Sequence, residues 1–261
     1  MGAIDLAPGA ETLEQCIGVL QSVFGYEAFR GPQAQIVSHV SDGGDALVLM
    51  PTGGGKSLCY QLPAAMQAGR TVVVISPLIA LMQDQVEALR QAGVRAAAIN
   101  SAQSDEDTTD TWRALRAGQL DLLYVSPERM LAGAFLSRLA ELPVALFAID
   151  EAHCVSQWGH DFRPEYLALG TLAREIGGRL QTMALTATAD APTRDDIVDK
   201  LFSRPPRTFV RSFDRPNLRL AFKAKERSSR QILAFVREHT GDSGIVYCAS
   251  RRKVEELAQT L

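Results

Sequence analysis

Between positions 46 and 186 the chain alternates short apolar runs with longer amphipathic stretches. The runs are ALVLM (46–50), TVVVIS (71–76), AAAIN (96–100), DLLYVS (121–126), VALFAID (144–150) and QTMALT (181–186). Most are continuously apolar, the pattern of strands buried on both faces. Between them lie helical patterns such as residues 78–92, where Leu78, Met82, Val86 and Leu89 recur at helical spacing. Strand, helix and strand at these intervals predict an α/β fold: a mostly parallel sheet with helices on both faces. Ahead of it, residues 11–24 and 32–40 read as two helices joined by a turn around Gly25. The Pro-rich, basic stretch SRPPRTFVRSFDRP (203–216) breaks the pattern and reads as a linker. A second α/β unit then begins: NLRLAFKA as a strand, 227–239 as a helix, SGIVYCA as a strand and a helix to Leu261. It is too short for a whole domain by the usual size range. The expected division is 1–45 for the N-terminal helices, 46–208 for a first domain and 209–261 for the beginning of a second.

The first chemistry sits where the first run ends: Met50-Pro51-Thr52-Gly53-Gly54-Gly55-Lys56-Ser57, followed by a helical pattern. Glycines between a strand and a helix let backbone N–H groups converge on an anion at the helix N-terminus. Lys56 can reach the outer phosphates of a nucleotide and the Ser57 hydroxyl can ligate Mg²⁺. Met50 stands where the strict pattern has its first glycine. The second site, Asp150-Glu151-Ala152-His153, closes the run VALFAID. Beside a phosphate loop, Asp150 can hold a hydrated metal while Glu151 positions or deprotonates water. Read alone, the pair would be an acidic helix start. His153 has no second ligand at metal spacing, which argues against zinc.

Composition narrows the classes. Of 261 residues 46% are apolar and 22% charged, ordinary for a globular protein and unlike disordered or fibrous chains. Cys16, Cys59, Cys154 and Cys248 are spaced too widely for paired zinc ligands or a disulfide framework, so a reducing, intracellular setting is expected. The first residues, MGAIDLAPGAE, are acidic where a signal peptide is basic, and Leu6 breaks the myristoylation pattern. No apolar run approaches a membrane span, so no membrane partner is expected. The net charge of −3 does not advertise a polyanion, so nucleic-acid binding would have to be local. The basic stretch from Arg204 to Arg230 suits either a solvated face or a DNA-facing cleft.

These segments resemble the N-terminal part of the RecQ-family DNA helicases of superfamily 2. The matching residues are FGYEAFRGPQ (24–33), PTGGGKS (51–57), SPLIALMQDQ (76–85), SPERML (126–131), DEAHCVSQWGHDFRPEY (150–166), ALTATA (184–189) and IVYCASRRKVEELA (245–258). The resemblance implies a RecA-like ATP-binding domain of the P-loop class followed by the start of a second. It implies ATP and Mg²⁺ as cofactors and single-stranded or forked duplex DNA as partner. The implied activity is 3′-to-5′ unwinding in repair and recombination, in the cytoplasm or nucleus. It further implies that Tyr26 stacks on adenine while Arg30 and Gln33 contact its edge. Thr52, Gly53, Gly54, Gly55, Lys56 and Ser57 would hold the phosphates, with Ser57 and Asp150 on the metal and Lys56, Asp150 and Glu151 catalytic. DNA coupling would fall to Ser76, Ser126, His153, Trp158, Phe162, Arg163, Thr186 and Thr188. An arginine finger would lie in the second domain, and no segment of this chain matches it.

Plainer readings stand beside these. Ser76-Pro77 and Ser126-Pro127 suit helix N-caps with proline at the first helical position. The run from Cys154 to Tyr166, with Trp158, His160, Phe162 and Arg163, suits either a grip on single strands or a loop pinned by core aromatics. Thr188 or Asp190 can cap the helix near Pro192. An RNA remodeller would share the loop and the DEAH run but lack the aromatic loop. An ATP-binding module that docks DNA without turnover is the non-enzyme alternative.

Overall fold

The computed structural model describes residues 10–67, 69–132, 134–158, 162–175, 180–211 and 218–261. It divides into one unit through Phe213 and a second from Asp214. In the first unit the strands are β1 (Ala46–Leu49), β2 (Thr71–Ile75), β3 (Ala96–Ile99), β4 (Leu122–Val125), β5 (Val144–Ile149), β6 (Gln181–Thr186) and β7 (Arg207–Val210). They form one sheet in the order β3-β4-β2-β5-β6-β1-β7, with every pair parallel. The helices are α1 (Ala10–Ser22), α2 (Gln33–Ser41), α3 (Leu58–Met66), α4 (Ile79–Gln91), α5 (Asp105–Arg116), α6 (Pro127–Met130), α7 (Phe135–Ala140), α8 (Pro164–Glu175) and α9 (Ala191–Leu201).

All six apolar runs become strands, and nearly every residue in them is buried. Alternate residues point to opposite faces, so each strand feeds two cores. Val48, Val72, Val74 and Leu146 pack under α1 to α4. Leu47, Val73, Ile75 and Phe147 pack under α5 and α7 to α9, around Trp112, Tyr166 and Ile197. Each buried aliphatic side chain contributes about 1.5–3 kcal/mol, which is why the sheet interior tolerates no polar alternation. Among the described residues no helix is long and apolar enough to cross a membrane.

The linker reading fails at its centre. Residues 207–210 form β7, paired to β1 with Ala46 opposite Arg207 and Leu49 opposite Val210. Only Phe209 of the four is buried. A strand at a sheet edge keeps polar residues outward, so its sequence lacks the continuous apolar signature.

The second unit carries α10 (Ser228–Glu238) and α11 (Arg251–Ala258), close to the expected helices. The two expected strands do not form a ladder: residues 218–225 and 242–248 carry no strand pairing. Strands exist only through partners, and a two-stranded ladder by itself is marginal in water. The expected residues 212–217 of the basic stretch lie outside the described residues.

Candidate functional site

Parallel strands bring their C-terminal ends to one rim, where ligands of open α/β sheets bind. Thr186 lies level with Leu49, and Ile149 with Ala184, so β1, β6 and β5 open side by side. The glycine loop leaves β1, and the acidic pair leaves β5.

The loop has the backbone its glycines permit. Gly53 and Gly55 take φ of 77° and 79°, the left-handed region disfavoured for other residues. A Cβ on Gly55 would lie 2.3 Å from Gln33 Nε2, and one on Gly54 would lie 2.8 Å from the Pro51 carbonyl oxygen. Lys56 Nζ donates to the Met50 carbonyl at 3.2 Å, which folds the amine back over the loop. Ser57 occupies the N-cap of α3, but its hydroxyl makes no cap hydrogen bond. The α3 N-terminus therefore offers backbone N–H groups and a hydroxyl at the mouth of the loop.

A cavity of about 370 Å³ opens beside this loop, with Tyr26, Arg30 and Gln33 on its wall along with Ser57, Gln61 and Gln85. Tyr26 is half exposed, which leaves its ring open to the cavity. Phe24 and Phe29 pack against the core. Gln33 is buried and fully used: its Oε1 accepts from the Arg30 N–H at 2.7 Å, and its Nε2 donates to the Gly55 carbonyl at 3.0 Å. In this arrangement Gln33 ties the aromatic segment to the phosphate loop. Arg211, in the basic stretch and just past β7, packs its guanidinium beside Gly31.

Asp150 is buried, and its carboxyl is pushed up to about 6, first by burial and then by the neighbouring Glu151 charge. The Glu151 N–H, which donates to Asp150 Oδ1 at 3.0 Å, and the Lys56 charge pull the other way. Glu151 itself sits at φ 48°, ψ 44°, a strained conformation for a residue with a side chain. His153 is buried in the 3₁₀ turn Ala152–Val155. Its Nδ1 lies 3.3 Å from Glu151 Oε2 and 3.0 Å from Thr186 Oγ1. Thr52, Leu78, Glu151, His153 and Thr188 line a second opening of about 580 Å³ on the same rim.

The capping expectation fails for Ser76 and holds for Ser126 in position only. Ser76 is buried, but α4 begins at Ile79 with Leu78 at its N-cap. Leu78 takes an extended conformation, which delays the helix by two residues. Ser126 does stand at the N-cap of α6 with Pro127 behind it, yet its side chain makes no cap bond and its Oγ is buried without a partner. Asp190, not Thr188, caps α9, accepting from the Thr193 N–H at 3.0 Å.

The aromatic run splits. Tyr166 is fully buried and its hydroxyl donates to the Asp150 carbonyl at 2.9 Å. Trp158 is 76% exposed, although its N–H is held by Ser156 Oγ at 3.2 Å and that hydroxyl donates to Asp196 at 2.7 Å. Phe162 and Arg163 are half-buried, and the Arg163 N–H donates to the Cys154 carbonyl. His160 lies outside the described residues. The core-aromatic reading holds for Tyr166 and fails for Trp158.

Residues 30–197 match the family model described as DEAD/DEAH box helicase. The chain is 48% identical over 245 residues to the ATP-dependent DNA helicase RecQ of Haemophilus influenzae, covering 94% of this chain and 39% of that one. It is 42% identical over 250 residues to RecQ of Bacillus subtilis, covering 95% and 42%. The chain thus spans about two fifths of the length of the curated relatives it matches. In fold it is similar to the helicase MrfA solved with DNA and AMPPNP, with a TM-score of 0.73 at 20% identity over 97% of this chain and 38% of that one. A hypothetical ATP-dependent RNA helicase from Sulfolobus tokodaii follows the same fold, with a TM-score of 0.59 at 19% identity over 97% and 72%.

Proposed function

The chain belongs to the DEAD/DEAH box helicase family, and from that premise we propose that it binds ATP and Mg²⁺ on this rim and couples hydrolysis to single-stranded and forked DNA. The single observation that carries the reading is the shared rim: a glycine loop at positive φ, a Ser57 hydroxyl not spent on capping α3, and a buried Asp150. The activity is that of a RecQ-type helicase, moving 3′ to 5′ in DNA repair and recombination, and identities of 42–48% to proteins named RecQ support it.

The donor set suits Mg²⁺. Ser57 and Asp150 offer only hard oxygen ligands, and a carboxyl whose charge is disfavoured by burial gains from a divalent partner. When bound, the ion neutralises charge on the outer phosphates and braces them for in-line attack. The rest is the work of this chain. Loop N–H groups and the Lys56 amine cradle the phosphates, and Tyr26 stacks on the base with Arg30 at its edge. Glu151, beside Asp150, orients the attacking water and takes its proton. His153 and Thr186 tie the Glu151 segment to the end of β6, and the exposed Trp158 meets DNA on the same loop.

The test compares ATP hydrolysis with single-stranded DNA, with RNA and without nucleic acid. Stimulation by DNA above RNA is expected. Stimulation by RNA alone would assign the chain to RNA remodelling, and tight nucleotide binding without turnover would make it a binding module.

A further inference from the structure

Two glutamines and two tyrosines behind the phosphate loop take no part in the chemistry above. Gln61, on α3, is buried, and its Nε2 donates to Tyr124 Oη at 3.1 Å and to Gln85 Oε1 at 2.8 Å. Tyr124, on β4, meets Tyr60, on α3, with their hydroxyls 3.4 Å apart and their rings edge to face. Both tyrosines are 1% exposed. Burial pushes Tyr124 up to about 12 and holds Tyr60 well above the ordinary phenol range, so both stay protonated and act through hydrogen bonds alone. The Tyr60 and Gln61 N–H groups donate to the Ser57 carbonyl at 3.2 and 3.0 Å. The cluster therefore bears directly on the first turn of α3.

Helix α4 reaches both openings of the site. Leu78 at its N-cap lines the rim opening with Glu151 and His153, while Gln85 and Leu89 line the nucleotide cavity about two and three turns later. Among the described residues, the Gln61–Gln85 contact is the one side-chain hydrogen bond joining α3 to α4. A buried amide wedged against two tyrosines cannot slip without leaving polar groups unpaired, so a shift of α4 must either break that bond or drag α3 with it.

We propose that Gln85 is a positioning residue for the nucleotide site: acting through Gln61 and the Tyr60–Tyr124 pair, it lets α4 set where α3 presents the Ser57 hydroxyl to the metal. This rests on the reading of the loop as a Mg²⁺–ATP site. The hydrogen bond between the two side-chain amides carries the positional signal, and the tyrosines supply an unyielding backstop.

The experiment titrates a non-hydrolysable ATP analogue into the protein with and without Mg²⁺, for wild type, Gln85→Met and Gln85→Glu. Methionine keeps the length but removes the acceptor; glutamate keeps an acceptor for Gln61. For Gln85→Met the metal-free affinity should stay within about twofold of wild type, while the gain in affinity from Mg²⁺ falls about fivefold, the worth of one hydrogen bond. The kcat should fall with it more than KM rises, and Gln85→Glu should restore both. Tyr124→Phe, which removes one hydroxyl from the backstop, should move the Mg²⁺ gain in the same direction. A Gln85→Met protein with an undiminished Mg²⁺ gain overturns the proposal, as does equal loss with and without Mg²⁺, the mark of a merely structural role. Wild-type protein that binds the analogue with no Mg²⁺ gain overturns it too. Wild-type protein with no affinity for the analogue at all would instead remove the nucleotide reading on which it stands.

Discussion

His153 Nδ1 lies 3.0 Å from Thr186 Oγ1, joining the segment after β5 to the end of β6. The Thr186 hydroxyl donates its one proton to the Thr188 carbonyl at 3.0 Å, so in this contact His153 Nδ1–H is the donor. The Thr188 N–H also turns toward Thr186 Oγ1 at 3.3 Å. One buried hydroxyl thus fixes both the imidazole and the loop that follows β6. Thr186→Ala should leave the imidazole N–H without this acceptor and cost about 1–3 kcal/mol of stability, with Thr186→Ser close to wild type. Chemical denaturation reads the first effect. DNA stimulation of hydrolysis reads the second, and it should fall in the alanine variant while nucleotide affinity is kept.

The phosphate loop makes two separable predictions. Lys56→Ala removes a cation from the surface of the loop and should lower hydrolysis on the order of 10²–10³, with an unchanged melt. Gly55→Ala acts on the backbone instead: its Cβ meets Gln33 Nε2 at 2.3 Å in a left-handed conformation. It should cost roughly 1–3 kcal/mol of stability and weaken nucleotide binding. Wild-type-like hydrolysis by the lysine variant would refute the site assignment.

The contrast between these positions and others explains what could be read in advance. Strands β1 to β6 were legible because burial on both faces leaves no room for polar residues, so the fold class follows from Val72 to Ile75 and runs like it. Strand β7 was not, because three of its four residues face outward and two prolines precede it. The glycine loop and the acidic pair stand out in the sequence by residue type and order, and the structure brings the strands that carry them to one rim. Gln61, Tyr60 and Tyr124 were hidden because a buried polar residue inside an apolar run looks like core until its partners are known. Ser126 shows the reverse failure: the serine–proline signature is right about where α6 starts and wrong about what the hydroxyl does.

Asp45 lies at the end of the sheet opposite the glycine loop and offers a test of packing alone. Its Oδ1 accepts from the buried Thr182 N–H at 2.9 Å, and its Oδ2 accepts from Arg204 Nε at 2.6 Å. The two bonds differ in kind, since Arg204 is exposed and solvent screens its charge. Asp45→Ala should cost about 1–3 kcal/mol, because a buried backbone donor is left unpaired. Arg204→Ala should shift the unfolding midpoint little. Equal effects in urea melts would mean that the ion pair, rather than the Thr182 contact, holds the start of β6.

Trp158 separates stability from coupling most sharply. Its ring is 76% exposed, while its N–H is fixed by Ser156, which is itself held by Asp196. A large aromatic kept in water on an anchored backbone gains nothing for the core, whereas a nucleobase stacked on it would gain roughly 1–3 kcal/mol. Trp158→Ala should therefore melt like wild type and bind nucleotide as well. Its affinity for single-stranded DNA should fall about 5- to 150-fold, and DNA stimulation of hydrolysis should fall with it. Phenylalanine, which keeps a π face, should recover most of both. Ser156→Ala adds a control, since freeing the backbone of Trp158 should weaken the coupling while leaving the ring in place. A Trp158→Ala protein that unfolds early would return the residue to a core role, and one with undiminished DNA stimulation would show that the loop senses DNA through another side chain.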